Sequence, residues 1–198
     1  MLYYLTILIC MAIISVIDII FAIPIFGFNA WYIILAVVVS TVAVIAVDGV
    51  FATFTRWIFP KKWFGVDKTH FMASKRECRF LEKIGIKKWK DKVLELGMFA
   101  NFRKNKIAEP NSSEYIKRYI YEANCGILGH ALGAFFGYLI IFIYPLQYWL
   151  CFGVPVATVN LVLSLMPLFI LRYNLPKLHV LYKYNKKREE RNNHENKD

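Results

Sequence analysis

The chain has 198 residues, 58% of them hydrophobic and 17% aromatic, yet its formal net charge is +11. Apolar and basic residues fall in separate blocks, a pattern that excludes an ordinary soluble domain. Four apolar blocks, Leu2 to Phe21, Trp31 to Thr55, Ile127 to Tyr144 and Tyr148 to Leu171, are each about long enough to cross a hydrocarbon core of ~30 Å at ~1.5 Å per helical residue. The predicted fold class is all-α, a polytopic membrane protein with four transmembrane helices and a basic helical region between spans two and three.

The first block has no positive leading segment, is too long for a signal-peptide core and is followed directly by a second span, so it reads as a mature helix. Asp18 falls in its outer half, where helix packing or a polar contact accounts for it. Between Arg56 and Glu122 there are 17 Lys or Arg against 8 acids, and from Arg172 onward 8 against 4, whereas the connections "AIPIFGFNA" and "IYPLQY" carry no charge. Because cytoplasmic loops collect Lys and Arg, the middle region and the tail are predicted to be cytoplasmic, with both termini inside. The resulting divisions are an N-terminal hairpin over 1–55, interfacial helices over 56–122, a C-terminal hairpin over 123–172 and a basic tail over 173–198. Topogenic charge and attraction to anionic membrane lipid explain most of these cations. No nucleic-acid recognition motif accompanies them, so no nucleic-acid partner is expected.

After span two, "TRWIFPKKWFGVDKTHF" interleaves Trp57, Phe59, Trp63 and Phe64 with Arg56, Lys61 and Lys62, as suits the headgroup level, while Pro60 and Gly65 argue against one continuous helix. A helix is predicted from about Met72 to Ile84, stopped by Gly85 in the left-handed conformation, and a second from Ile86 to Leu96, ending at Gly97. In the second, Ile86, Trp89, Val93, Leu94 and Leu96 share one sector, opposite Lys87, Lys88, Asp91, Lys92 and Glu95. Lys90 projects from the apolar sector beside Trp89, where it must snorkel outward or meet an anion. Asn111, with Glu114 three residues later, reads as a helix N-cap and its partner, and the helix begun there runs on into span three.

Span three carries Gly129, Gly133 and Gly137 at intervals of four, a small-residue seam suited to close helix approach within the chain or in a homo-oligomer. His130 borders that seam. It lies eight residues past Glu122, Asp48 eight before Arg56 and Ser164 eight before Arg172, so each is roughly 12 Å in from a charged boundary and the three can share one layer. Ionisable groups in a span are functional hypotheses by default. A carboxylate near His130 would orient its imidazole as a general base acting on a hydroxyl. Asn160, one turn deeper, is as good a polar contact as Ser164. Farther on, Pro176 is predicted to end the last helix, "LHVLYKY" to form a short interfacial helix, and the final dozen residues to be disordered. Cys10, Cys78, Cys125 and Cys151 stand singly, suggesting neither a disulfide framework nor a metal site.

Several of these residues together carry a resemblance. "EKIGIKKWKDKVLELG", then Glu122 and His130 eight apart, then "RYNLPKL", resembles the glycosyl-4,4'-diaponeurosporenoate acyltransferases, small bacterial membrane enzymes. Glu82, Lys83, Gly85, Trp89, Lys90, Glu122, His130, Arg172, Tyr173, Asn174 and Pro176 stand at matching positions, from roughly Phe59 to Leu178. The resemblance implies transfer of a fatty acyl group from a thioester donor, acyl-CoA being the expected co-substrate, to a sugar hydroxyl of a lipid-linked acceptor in a bacterial cell membrane, with no other cofactor. On that basis His130, Glu122 and Asp48 are the expected catalytic group, and Trp89, Lys90, Glu82, Asn160, Ser164, Arg172 and Asn174 the expected substrate-binding residues. Lys90 and Arg172 are assigned to donor phosphates or the developing oxyanion. The alternative is a non-catalytic membrane scaffold or lipid-binding subunit of a lipid-synthesis complex, in which His130 is a packing group.

Overall fold

A computed structural model describes residues 2–93 and 107–195. Its principal helices are α1 (Leu2–Phe26), α2 (Ala30–Ile58), α3 (Lys75–Lys83), α4 (Ile86–Trp89), α5 (Ser113–Phe136) and α6 (Val154–Glu195), and no strand occurs among the described residues. Four segments, Leu5–Phe26, Ala30–Ile58, Ser113–Ile143 and Leu146–Glu195, are long and apolar enough to cross a membrane. The chain divides into two compact units, one of Met1–Phe54 with Gly129–Met166, the other of Thr55–Leu128 with Pro167–Asp198.

The first unit is built from α1, most of α2, the latter part of α5 and the start of α6. Gly27 takes φ of +68° and its N–H closes on the Ile23 carbonyl at 2.9 Å, which ends α1. Asn29 then caps α2 by accepting the Trp31 N–H at 2.9 Å. Ile14, Val37, Val44, Ile140, Val156 and Ala157 form one buried cluster, and Ala22, Ile33, Ala36 and Phe152 a second. Outward-facing Leu8, Ile20, Phe21, Leu35 and Val42 remain exposed, as expected of helices whose solvent on that side is hydrocarbon.

In the second unit α5 and α6 run antiparallel. Ser113 N–H and Oγ both donate to the Glu189 carboxylate, and a Cβ on Gly126 would lie 3.0 Å from Leu171. Phe64, Leu81, Ile86, Ile116, Ile120 and Leu175 are buried in this unit. Pro60 and Gly65 do preclude a continuous helix, since Lys61–Phe64 and Thr69–Phe71 are isolated 3₁₀ turns.

Several local expectations need correction. The cap of α5 is Ser112, whose Oγ accepts the Tyr115 N–H at 3.1 Å, while Asn111 Oδ1 accepts from Arg188. Pro176 does not end the last helix, and "LHVLYKY" is no separate element, because α6 continues through both Pro167 and Pro176. Residues 187–195 belong to that helix too, held where Asn185 donates to the Pro110 carbonyl at 2.8 Å and Arg188 to the Asn111 carbonyl at 2.6 Å. The helix starting at Ile86 tightens into a 3₁₀ turn at Lys90–Lys92, and its predicted end at Leu96 and Gly97 lies outside the described residues.

Candidate active site

Asp48 on α2 meets Asn160 and Ser164 on α6, two residues one helical turn apart. Asn160 Nδ2 donates to Asp48 Oδ1 at 3.3 Å and Ser164 Oγ to Asp48 Oδ2 at 3.1 Å, so each carboxylate oxygen accepts one hydrogen bond from α6. Asn160 Nδ2 also lies 3.4 Å from the Gly133 carbonyl, which ties α5 into the same node. Asn160 and Ser164 are buried and Asp48 half-buried. Such partners offset the cost of burying a carboxylate at this depth, since an unpaired buried charge is costly.

The glycines of α5 make room for the node. A Cβ on Gly133 would collide with Asp48 Oδ1 and stand 3.5 Å from the Asp48 Cα, and one on Gly137 would stand 2.6 Å from Asn160 Nδ2 and 3.1 Å from Val44. The seam thus serves contacts inside this unit. His130, half-buried, precedes Gly133 by one turn and so lies on the same side of α5. Gly133→Ala is expected to push Asp48 out of the node and so lower the unfolding midpoint of the detergent-solubilised protein by several degrees, with α-helical circular dichroism retained below it. Gly49→Ala is the control, because a Cβ there meets nothing within 4 Å.

The other expected site residues lie in the second unit. Glu122 pairs with Arg56 at 3.1 Å, so its carboxylate has a cation of its own. Arg172 forms a two-pronged ion pair with Glu77, Nε to Oε1 at 2.6 Å and Nη2 to Oε2 at 2.8 Å, and also donates to the His70 and Met72 carbonyls at 3.3 Å each. Tyr173 donates its hydroxyl to Glu82 at 2.7 Å, and Lys87 reaches the same carboxylate at 2.8 Å. Gly85, at φ +74°, reverses the chain between Glu82 and Lys87 as predicted. Hydrogen bonds from Arg172 hold the Glu77 carboxyl below the usual range, and those from Lys87 and Tyr173 do the same for Glu82.

Pro176 completes this clamp. Lacking an N–H, it leaves the carbonyl four residues back without its helical partner, and that carbonyl, of Arg172, accepts the Ala73 N–H at 3.1 Å. The stretch "RYNLP" therefore grips α3 at both ends, through Glu77 and Glu82. Trp89 turns its indole N–H back to the Ile84 carbonyl at 3.3 Å, and Lys90 and Asn174 are half-buried. Glu77 was missed by the sequence reading, although "SKRE" carries the signal. Ser74 accepts the Glu77 N–H at 3.2 Å while Glu77 reaches back to the Ser74 N–H, a capping box that starts α3 at Lys75, later than the predicted Met72.

A family model described as glycosyl-4,4'-diaponeurosporenoate acyltransferase matches residues 60–184. The match covers well over half of the chain. The chain belongs to this family. No curated protein and no solved structure matches it significantly. The family match takes in His130, Asn160, Ser164 and the whole Arg172 clamp, while Asp48, on α2, lies before it. Within the family segment, then, the stretch "RYNLP" has a structural task that its polar residues alone do not announce.

Proposed function

We propose that the protein transfers a fatty acyl group from a thioester donor, acyl-CoA in the simplest case, to a sugar hydroxyl of a lipid-linked glycoside, a glycosyl carotenoid or another glycolipid. The observation that carries this reading is the Asp48 node against Gly133, one turn from His130, in a chain of an acyltransferase family. His130 acts as general base. It takes the hydroxyl proton as the sugar oxygen attacks the thioester carbonyl, and returns it to the departing thiolate when the tetrahedral intermediate collapses. Asp48, fixed by Asn160 and Ser164, orients the imidazole and stabilises its protonated form. Asp48 is proposed for this role because it packs against Gly133, one turn from His130 on α5, whereas Glu122 is ion-paired with Arg56. The enzyme needs no covalent intermediate, since the acceptor hydroxyl is itself the nucleophile.

Lys90 and Trp89 are assigned to the donor, Lys90 for its phosphates. Arg172, four of whose five N–H groups are engaged within the protein, contributes by holding α3 rather than by meeting phosphate. The protein spans the membrane four times, with the basic second unit and both termini on the cytoplasmic side. The test is lipid mass spectrometry of cells with and without the gene. An acylated glycolipid, heavier than its unacylated counterpart by one fatty acyl group, should vanish on deletion while the unacylated form accumulates. Unchanged lipids would instead favour the scaffold reading.

A further inference from the structure

Helix α3 sorts its charges by face. Both of its acids are paired, Glu77 inward to Arg172 and Glu82, 42% exposed at the edge of the helix beside Lys75, to Tyr173 and Lys87, and Leu81 is fully buried. The outward face holds Lys75, Arg76, Arg79 and Lys83, all exposed, within about 100° of arc. Phe80 and Ile84, one turn apart, lie along one edge of it and are 57% and 46% exposed. Four cations beside two bare apolar side chains, with no acid among them, suit an anionic surface that also has an apolar interior.

From this arrangement we propose that the outer face of α3 docks on the anionic lipid surface of the membrane, Phe80 and Ile84 entering the acyl boundary and Lys75, Arg76, Arg79 and Lys83 contacting lipid phosphates. Charge complementarity accounts for the cations, and the paired apolar edge accounts for depth, which a purely electrostatic contact would not need. Within the same unit the end of α2 repeats the composition, with Trp57 85%, Ile58 59% and Trp63 49% exposed beside Lys61 and Lys62. The chain that enters this unit from an apolar helix therefore already carries interfacial anchors. An acidic protein, such as a carrier of acyl groups, is the competing occupant. It would need the cations but leave the apolar edge without a matching interior.

The experiment replaces Phe80 with the photocrosslinker p-benzoylphenylalanine in the full-length protein, in native membranes and in nanodiscs of phosphatidylcholine with or without phosphatidylglycerol. Position 84 serves as the second site and Glu114, exposed on α5, as the control. Irradiation should add the mass of a phospholipid at positions 80 and 84 but not at 114, more with phosphatidylglycerol present. Arg76→Gln with Arg79→Gln should reduce that adduct by up to about 25-fold, at roughly fivefold for each of the two cations lost from an anionic surface. Adducts of protein mass at 80 and 84 would overturn the proposal in favour of an acidic partner. Absence of any adduct at both positions, or a yield indifferent to phosphatidylglycerol and to the two arginines, would overturn it as well.

Discussion

His130→Ala should reduce acyl transfer to the glycolipid acceptor by about 10²–10⁴-fold, the range in which a positioned general base contributes. The loss should fall on kcat and leave the donor KM nearly unchanged, because in the proposed mechanism the imidazole meets the reacting hydroxyl and not the donor phosphates. His130→Gln, which preserves volume and hydrogen bonding but cannot take up the proton, should be equally inactive. If His130 were only a packing group, glutamine would rescue and alanine would show its defect in thermal stability instead. Asp48→Asn tests the partner. It keeps the shape of the node but removes the charge that stabilises imidazolium, so activity should fall, though less than for His130→Ala, and activity unchanged by Asp48→Asn would show that Asp48 is not the partner.

The four apolar helices were legible because hydrocarbon thickness and helical rise leave little freedom in length and composition. Gly85 was legible for a similar reason, since few residues other than glycine accept φ of +74°. Counting inward from charged boundaries placed His130, Asp48 and Ser164 at one depth, and the structure joins the last two, with Asn160 beside them. Depth follows from helix rise alone, whereas the face each side chain takes depends on packing. What the sequence concealed is long-range. Arg172 and Glu77 are 95 positions apart, and nothing local to either marks the pair. Pro176 misled for the same reason. A proline breaks a helix when the carbonyl it frees has no other donor, but here the Ala73 N–H fills that role and the helix runs on. Likewise the polar tail reads as disordered by composition, yet its Arg188 and Glu189 are fastened to Asn111 and Ser113.

Arg172→Ala should destabilise the second unit by about 2–3 kcal/mol, the scale for losing a charged, two-pronged hydrogen-bonded pair that leaves its partner behind. For a chain of this size that corresponds to roughly 5–10 °C in the unfolding midpoint of detergent-solubilised protein. The pair is about a quarter exposed on each side, 23% for Arg172 and 28% for Glu77, which keeps the figure below that of a fully buried pair. Arg172→Lys should fall between, because an ammonium can satisfy one carboxylate oxygen but not the fork together with the His70 and Met72 carbonyls. The pH dependence has a definite sign. The folded-state value of Glu77 lies below its ordinary 4.5, so the pair's contribution is complete above about that pH and is lost as pH falls through the lower, folded value. Wild type and Arg172→Ala should therefore converge in stability on acidification, and Glu77→Gln should show little of the wild-type decline in that window. If Arg172→Ala instead melted with the wild type and only weakened donor binding, the guanidinium would belong to the donor site and the clamp would be held by Tyr173 and Glu82 alone.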